Sequence, residues 1–216
     1  MLTNINFVEC VLCMERVTED LYISQEPVLQ ELLADTKPEY VKKGTLLIEA
    51  GEVQAQLPVL IKGVLRGFLL DAEGRDITDC FAFRPGDIAA GCNVLGGPSQ
   101  ISMEAVTDCQ VLLLPMTVVQ EEMEQNMEAL RLYNRYLVEA LQRHWEGKML
   151  MHRFSAMQRY QWFLQTYPGL IDTVCNKHIA SFLGMTPVTL SRLRRQLREQ
   201  DPAYDEGNCG NTAADS

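Results

Sequence analysis

Cationic side chains are concentrated in one short part of the chain, between residues 175 and 200. This segment carries a net charge of +4, from Lys177, Arg192, Arg194, Arg195 and Arg198 against Glu199. The planar fork of an arginine can donate two parallel hydrogen bonds to O6 and N7 of guanine in the major groove of DNA. The segment therefore predicts a surface that binds double-stranded DNA. A charged helix face exposed only to solvent is the alternative that charge by itself leaves open.

Helix signals surround these arginines. An apolar helical face formed by Ile179, Ala180, Phe182 and Leu183 is followed by Gly184, and a buried stripe of Leu190, Leu193 and Leu197 comes after it. Thr186 can cap the second helix, with Pro187 at its first position, where a missing N–H costs nothing. Helix, glycine-containing turn and basic helix predict a helix-turn-helix. Its predicted DNA-binding residues are Lys177, His178, Thr186, Pro187, Val188, Thr189, Ser191, Arg192 and Arg195.

Seven cysteines and three histidines are the residues that could hold a metal ion or form a redox switch. The cysteines are odd in number and irregularly spaced, which favours reduced thiols in a cytoplasmic protein. A thiol switch at Cys10 and Cys13 is an alternative, as is a redox role for Cys175 or Cys209. A haem ligand at His144 is disfavoured against simple packing. We therefore predict no metal site and no required cofactor.

Residues 40–115 alternate short apolar runs with turns that contain glycine. The runs are Thr45–Ile48, Pro58–Ile61, Gly67–Leu70, Thr78–Phe83, Ile101–Val106 and Val111–Leu114. Regular short strands with such turns predict an antiparallel sandwich, roll or barrel. The turn at Asp71–Gly74 is placed as a hairpin loop.

Residues 117–166 contain no proline and only one glycine, Gly147, which predicts helix. A seam of Met123, Met127, Leu130, Asn134, Leu137, Leu141 and His144 advances by four and three residues in turn. This 3.5-residue period is typical of a helix that pairs with another helix. We expect a long dimerisation helix over 117–147 in a parallel homodimer, with packing on the chain's own roll as the alternative. Gly147 is expected to relax or break it before a second helical segment, Lys148–Thr166.

The charge of the whole chain opposes the prediction of DNA binding. Its 216 residues hold 29 acids against 19 bases, a net charge of −10. Residues 1–116 carry −9 and residues 201–216 carry −4, so the acidic excess lies outside the basic segment. No apolar run approaches the ~20 residues needed to span a bilayer. Acids stand near the N-terminus in place of the basic region of a signal peptide, so we predict neither a leader nor a membrane partner.

Three motifs of the first half and one long motif of the second carry a resemblance to a known family. They are Lys42–Glu52 (KKGTLLIEAGE), Ile61–Gly63 (IKG), Arg84–Asp87 (RPGD) and Lys177–Arg192 (KHIASFLGMTPVTLSR). With these motifs the sequence resembles the Crp/Fnr family of bacterial transcription regulators. The resemblance implies an α+β fold: an antiparallel, double-stranded, cupin-like β-roll, a long dimerisation helix and a C-terminal helix-turn-helix. The expected divisions are 1–116 for the roll with an N-terminal helical segment, 117–147 for the dimerisation helix, 148–200 for the DNA-binding domain and 201–216 for a disordered acidic tail. That tail leaves the wing of the DNA-binding domain reduced or absent.

The resemblance also implies a function. We expect a homodimeric transcription regulator, not an enzyme, that binds a near-palindromic operator, with RNA polymerase as a further candidate partner. Its dimer contacts would come from Met123, Met127, Leu130, Asn134, Leu137 and Leu141. An unidentified small-molecule effector would bind a pocket lined by Ile88, Ala89, Ala90, Gly91, Cys92, Ser99, Gln100, Ile101, Leu141, His144 and Trp145.

Two departures from the family bear on the effector. Cyclic-nucleotide binders carry a Gly-Glu pair and an Arg-Ser pair, whereas this chain has Ala90-Gly91 and Ser99-Gln100 at those positions. Because a buried phosphate without a cation is strongly destabilised, we exclude cyclic AMP as the effector. The resemblance also offers an iron–sulfur cluster at Cys10 and Cys13 as an alternative. Relatives with such a cluster use three N-terminal cysteines and a fourth in the roll, whereas here no cysteine lies between Cys13 and Cys80, which disfavours it. A cupin-like metalloenzyme is disfavoured because every histidine lies beyond residue 140, and a regulator without an effector stays open.

Overall fold

The computed structural model describes residues 36–91 and 96–200, which form two compact units divided between Arg153 and Phe154. The described part of the first unit holds seven strands and two helices, and that of the second holds four helices. The predicted N-terminal helical segment and acidic tail lie outside the described residues. Cys10, Cys13, Cys92 and Cys209 lie outside them as well.

The strands of the first unit form two antiparallel sheets. They are β1 (Glu39–Val41), β2 (Leu46–Ile48), β3 (Gln56–Lys62), β4 (Leu65–Leu70), β5 (Asp76–Ala82), β6 (Ser102–Ala105) and β7 (Cys109–Pro115). One sheet has the order β1-β7-β3 and the other β2-β6-β4-β5. Each apolar run predicted as a strand overlaps one of them, and β1 is an addition that the pattern did not predict. The predicted antiparallel architecture is confirmed.

Apolar side chains from both sheets form one core. Leu60 on β3 pairs with Val111 on β7, and both side chains are fully buried, as is Leu65 on β4. Met103 and Ala105 of β6 belong to the same cluster. Burying such aliphatic side chains contributes about 1.5–3 kcal/mol each to stability, so alternation along these strands fixes the two sheets face to face.

One buried cation joins three strands of the second sheet. Arg66 on β4 is 1 % exposed, and its guanidinium donates to Asp76 on β5 at 2.6 and 2.8 Å and to Glu104 on β6 at 2.8 Å. It also donates to the Thr78 hydroxyl at 3.0 Å. With two carboxylates on one guanidinium, the pKa of Arg66 stays above its ordinary value although burial opposes the charge. This arginine is therefore already neutralised by its own sheet.

Two helices follow the roll instead of the single helix predicted from residue 117. Helix α1 spans Met116–Gln125 and α2 spans Met127–Arg153, with Asn126 in an extended conformation between them. The Asn126 side chain donates to Glu122 Oε1 at 2.6 Å and accepts from the backbone N–H of Glu128 at 3.0 Å. It therefore serves the end of one helix and the start of the next. The prediction of a continuous helix is wrong at its N-terminal end because this local bonding competes with the helical pattern.

The predicted break at Gly147 is also wrong. Helix α2 runs through Gly147 to Arg153, and residues 148–153 therefore belong to it and not to the following helix. A glycine inside a helix costs only about 0.5–1 kcal/mol relative to alanine, which neighbouring turns of a long helix can bear. The helix after it begins at the next true cap, Ser155.

The second unit contains α3 (Ala156–Thr166), α4 (Leu170–Thr173), α5 (Asn176–Phe182) and α6 (Pro187–Gln200). Ser155 and Gln158 form a reciprocal capping box at the start of α3, a signal that the sequence analysis did not use. Four aromatic side chains form the core beneath α5. Their ring centroids lie 5.1–6.2 Å apart, among Trp162, Phe163, Tyr167 and Phe182.

Candidate nucleic-acid interface and effector site

The turn between α5 and α6 has the geometry of a glycine-terminated helix. Gly184 adopts a φ of +61°, its N–H donates to the carbonyl of Ser181 at 3.0 Å, and the N–H of Met185 donates to that of Ala180 at 2.9 Å. These two bonds define a Schellman motif, which favours glycine because its positive φ is strained for other residues. The predicted break at Gly184 is thereby confirmed, and it sets the direction in which α6 leaves the turn.

Helix α6 begins as its sequence predicts. The Thr186 hydroxyl accepts from the backbone N–H of Thr189 at 3.1 Å, directly before Pro187, the first residue of the helix. Leu190 is fully buried, and the other two leucines of the predicted stripe, Leu193 and Leu197, are half-buried. The cap and the leucines fix both the start and the rotation of α6.

The rotation of α6 exposes one polar and cationic face. Ser191, Arg192 and Arg195 are exposed, together with Val188 in the first turn. Arg195 lies 3.9 Å from Glu199, at the limit of an ion pair, and Arg192 makes no ion pair with any residue in the described ranges. Arg194 points elsewhere, since its guanidinium donates to the Asn176 side chain at 3.0 Å and ties α6 to the start of α5.

The remaining predicted DNA-binding residues divide by exposure. Lys177, Thr186 and Pro187 are exposed, whereas His178 and Thr189 are half-buried. His178 lies beside the exposed Cys175 at the start of α5. Partial burial opposes ionisation of that thiol, but hydrogen bonding and the charge of His178 outweigh it and lower the pKa of Cys175. His178 therefore interacts with Cys175, the residue directly before α5.

Arg159 is a residue of this unit that sequence analysis missed. It donates to the carbonyl of Gly184 at 3.4 Å and to that of Phe154 at 3.1 Å. Arg159 therefore links helix α3 to the turn between α5 and α6. No spacing rule identifies such a contact, because the partners are 25 residues apart in the chain.

In the first unit, four residues of the predicted effector pocket lie together: Gly91, Ser99, Gln100 and Ile101. The backbone N–H of Gln100 donates to the carbonyl of Gly91 at 2.7 Å, and Ser99 is buried beside them. A Cβ atom on Gly91 would lie 2.0 Å from Ser99 Oγ. Ser99 in turn donates to the carbonyl of Ile101 at 2.6 Å. These residues fill the space between them with their own atoms.

Gln54 occupies the polar groups of the same segment. Its buried amide accepts from the N–H of Gly91 at 3.1 Å and donates to the carbonyls of Ala89 at 3.2 Å and Gln56 at 2.9 Å. The backbone N–H of Gly91, which could otherwise donate a hydrogen bond to an anion, is therefore already bonded within the roll. Sequence analysis missed Gln54, which is 37 residues from Gly91.

Helix α2 reaches this segment through Tyr136, whose hydroxyl donates to the carbonyl of Ile88 at 3.3 Å, and burial raises the pKa of Tyr136 to about 12. The residues predicted for the helix side of the pocket, Leu141, His144 and Trp145, are all exposed in the single chain. Their contribution to an effector pocket stays a prediction.

The exposed face of α2 differs from the predicted seam by a small rotation. It forms what we call the α2 stripe: Met127, Leu130, Asn134, Val138, Leu141, Trp145 and Met149. Met123 lies on α1, and Leu137 is half-buried. The last two residues of the predicted seam, Leu141 and His144, are also exposed, and the seam stays a prediction. An α-helix of 3.6 residues per turn drifts by about 20° per heptad relative to a 3.5-residue repeat, so seam and stripe diverge slowly along the helix.

Within residues 36–91 and 96–200, no group of three or more His, Cys, Asp or Glu side chains could hold a metal ion. Over the same residues, no helix has both the length and the apolar character that crossing a bilayer requires.

A protein family and several solved structures resemble this chain and identify its fold. Residues 38–126 match the cyclic nucleotide-binding domain family. FixK2 from Bradyrhizobium japonicum superposes with a TM-score of 0.68 at 23 % identity, over 83 % of this chain and 89 % of that one. The chain has the Crp/Fnr fold. The resemblance predicted from its motifs is confirmed at this level.

Two further regulators share this Crp/Fnr fold. A crp/fnr-family regulator from Eubacterium rectale has a TM-score of 0.60 at 19 % identity, over 84 % of this chain and 85 % of its own. The c-di-GMP-responsive CLP from Xanthomonas campestris has a TM-score of 0.61 at 13 % identity, over 80 % and 91 %. No curated protein matches the chain by sequence.

Proposed function

We propose that this Crp/Fnr-type chain is a homodimeric DNA-binding transcription regulator. The observation that carries the proposal is the exposed face of α6, where Arg192 and Arg195 lie on a helix with a capped start and a buried leucine. N-terminal residues of such a helix contact base edges in the major groove. The proposal assigns no catalytic step to the chain.

The distribution of charge along the chain favours specific over non-specific binding to DNA. The net charge of +4 on residues 175–200 can meet phosphates, while the acidic roll carries −9 over residues 1–116. Non-specific affinity rises with the number of phosphates neutralised, and only a few cations are available here. Discrimination would therefore come from contacts of α6 with bases.

The α2 stripe supports the homodimer. Its residues follow intervals of three, four and four, repeated once, which is an 11-residue pattern. Such a pattern keeps an apolar face on one side of a helix without left-handed supercoiling. Val138 and Leu141 are more than half exposed in the middle of the stripe, and a second copy of α2 would cover them. Two recognition helices would then lie about 34 Å apart and bind a near-palindromic operator.

The contacts of Gly91 support an effector other than a cyclic nucleotide. Ser99 fills the space beside it, Gln54 occupies its N–H, and the guanidinium of Arg66 is held by its own sheet. The ligands named for structural relatives differ, since CLP responds to c-di-GMP and CprK binds OCPA. The fold therefore leaves the chemistry of the effector open, and regulation without an effector is the other outcome.

The test begins with selection of the full-length protein's preferred sequence from random double-stranded DNA. Binding is then measured by fluorescence anisotropy for the wild type, Arg192→Ala and the control Arg75→Ala, an arginine of the β4–β5 hairpin that pairs with Asp71. We expect Arg192→Ala to lose about 1–3 kcal/mol on the selected site and Arg75→Ala to keep wild-type affinity. Failure to enrich any sequence, or equal affinities for the three proteins, would contradict the proposal.

A further inference from the structure

We infer that Val188 reads the methyl group of a thymine in each operator half-site. The inference rests on the proposed DNA-binding function and goes beyond it, because it names a base. Val188 is 60 % exposed in the first turn of α6, as an apolar side chain among polar and cationic neighbours. It lies three, four and seven residues before Ser191, Arg192 and Arg195, and so on the same side of the helix.

Helix α6 holds this side chain in a defined place. The bond from the Thr189 N–H to Thr186 Oγ1 fixes the first turn, and Leu190 is fully buried two residues after Val188. A valine in a helix has one strongly preferred χ1 rotamer. Its two methyl groups are therefore presented outward with little rotamer entropy to lose on contact.

The chemistry of the side chain selects the base. Valine has no donor or acceptor, so it cannot recognise guanine, adenine or cytosine by a hydrogen bond at the base edge. The C5-methyl group of thymine is the apolar feature of the major groove, and apolar side chains contact it there. Arg192 follows one helical turn later, about 6 Å along the axis, which places the thymine within about two base pairs of the base that Arg192 contacts.

The surroundings of Val188 favour DNA over an apolar protein partner. Exposed Arg192 and Arg195 follow on the same face, and residues 175–200 carry +4. An apolar protein surface would have to desolvate these guanidinium groups without pairing them, which is costly. Phosphates and base acceptors pair them.

Replacement of thymine by deoxyuridine tests the assignment, because it removes only the methyl group. In the selected operator, each thymine is replaced in turn, symmetrically in both half-sites, and affinity is measured for the wild type, Val188→Ala and the control Arg75→Ala in the β4–β5 hairpin. We expect one position at which deoxyuridine weakens wild-type binding by about fourfold per half-site contact, the equivalent of one buried methyl group. Val188→Ala should be insensitive at that position, whereas Arg75→Ala should remain sensitive.

The outcomes separate the inference from the proposed function. Specific binding with the same deoxyuridine profile in wild type and Val188→Ala overturns the thymine assignment alone. Failure to select any sequence overturns the regulator proposal, and the assignment with it. Because Val188 is exposed and alanine is a better helix former than valine, circular dichroism of Val188→Ala should match that of the wild type.

Discussion

Gly91 and Ser99 pack so closely that a Cβ atom added to the glycine would lie 2.0 Å from the serine Oγ. The family resemblance places these two residues where cyclic-nucleotide binders carry a glutamate and an arginine. The contact leaves no space for a side-chain atom on Gly91 unless Ser99 moves.

This contact predicts the effect of adding one methyl group. Gly91→Ala should lower the free energy of unfolding by about 1–3 kcal/mol, because Ser99 is buried and must move. Chemical denaturation measures this change. Ser99→Ala removes the clashing oxygen, so the double variant should be more stable than the sum of the two single changes predicts. Strict additivity of the two changes in stability would show that the methyl group at position 91 and the Ser99 hydroxyl do not touch.

The reactivity of Cys175 gives a second prediction, on pH. Burial raises the pKa of Cys175, but the hydrogen bonds and the charge of His178 outweigh burial and lower it. The thiolate should therefore be present at a lower pH than that of an ordinary cysteine. Alkylation followed by peptide mass spectrometry measures the rate at Cys175 as a function of pH. In His178→Ala the midpoint of this profile should move to higher pH.

The control for that measurement is Cys80 in the same sample. Burial raises the pKa of Cys80 to about 12, so it should stay unmodified below pH 9 in the folded protein. A Cys175 profile that is the same with and without His178 would contradict the assignment.

The sequence predicted local structure well where one signal dominated. Thr186, Pro187 and Gly184 each have one strong backbone preference, and the structure uses all three as predicted. The alternating apolar runs likewise predicted the strands, because one face of each strand is buried.

Contacts between distant residues could not be predicted in this way. Gln54 bonds to Gly91 and Tyr136 bonds to Ile88, and nothing in the local pattern at either end marks them. The break at Asn126 was missed because an asparagine is compatible with both a helix interior and a cap. The predicted seam and the α2 stripe share Met127, Leu130, Asn134 and Leu141, because a period of 3.5 and one of 3.6 differ little over one turn.

Gly147 provides a third prediction, on stability. It lies inside α2, and a Cβ atom there would meet nothing within 4 Å. Gly147→Ala should therefore raise the free energy of unfolding by about 0.5–1 kcal/mol, since alanine restricts the unfolded chain and favours helix. Thermal and urea denaturation check the result. A loss of stability would contradict this prediction and indicate that α2 needs a glycine at position 147.

The last prediction concerns the α2 stripe and distinguishes its 11-residue pattern from the heptad seam. Val138 belongs only to the stripe, whereas His144 belongs only to the heptad seam, and both side chains are exposed. A glutamate at position 138 would place two like charges in the centre of the proposed dimer, so Val138→Glu should give monomers in analytical ultracentrifugation.

His144→Glu, the matched control, should leave a dimer, because that position lies on the edge of the exposed face. Both variants should unfold like the wild type apart from the loss of association, since neither residue is buried in the single chain. Dissociation by His144→Glu together with an intact Val138→Glu dimer would restore the heptad seam, and monomeric wild-type protein would remove the homodimer from the proposed function.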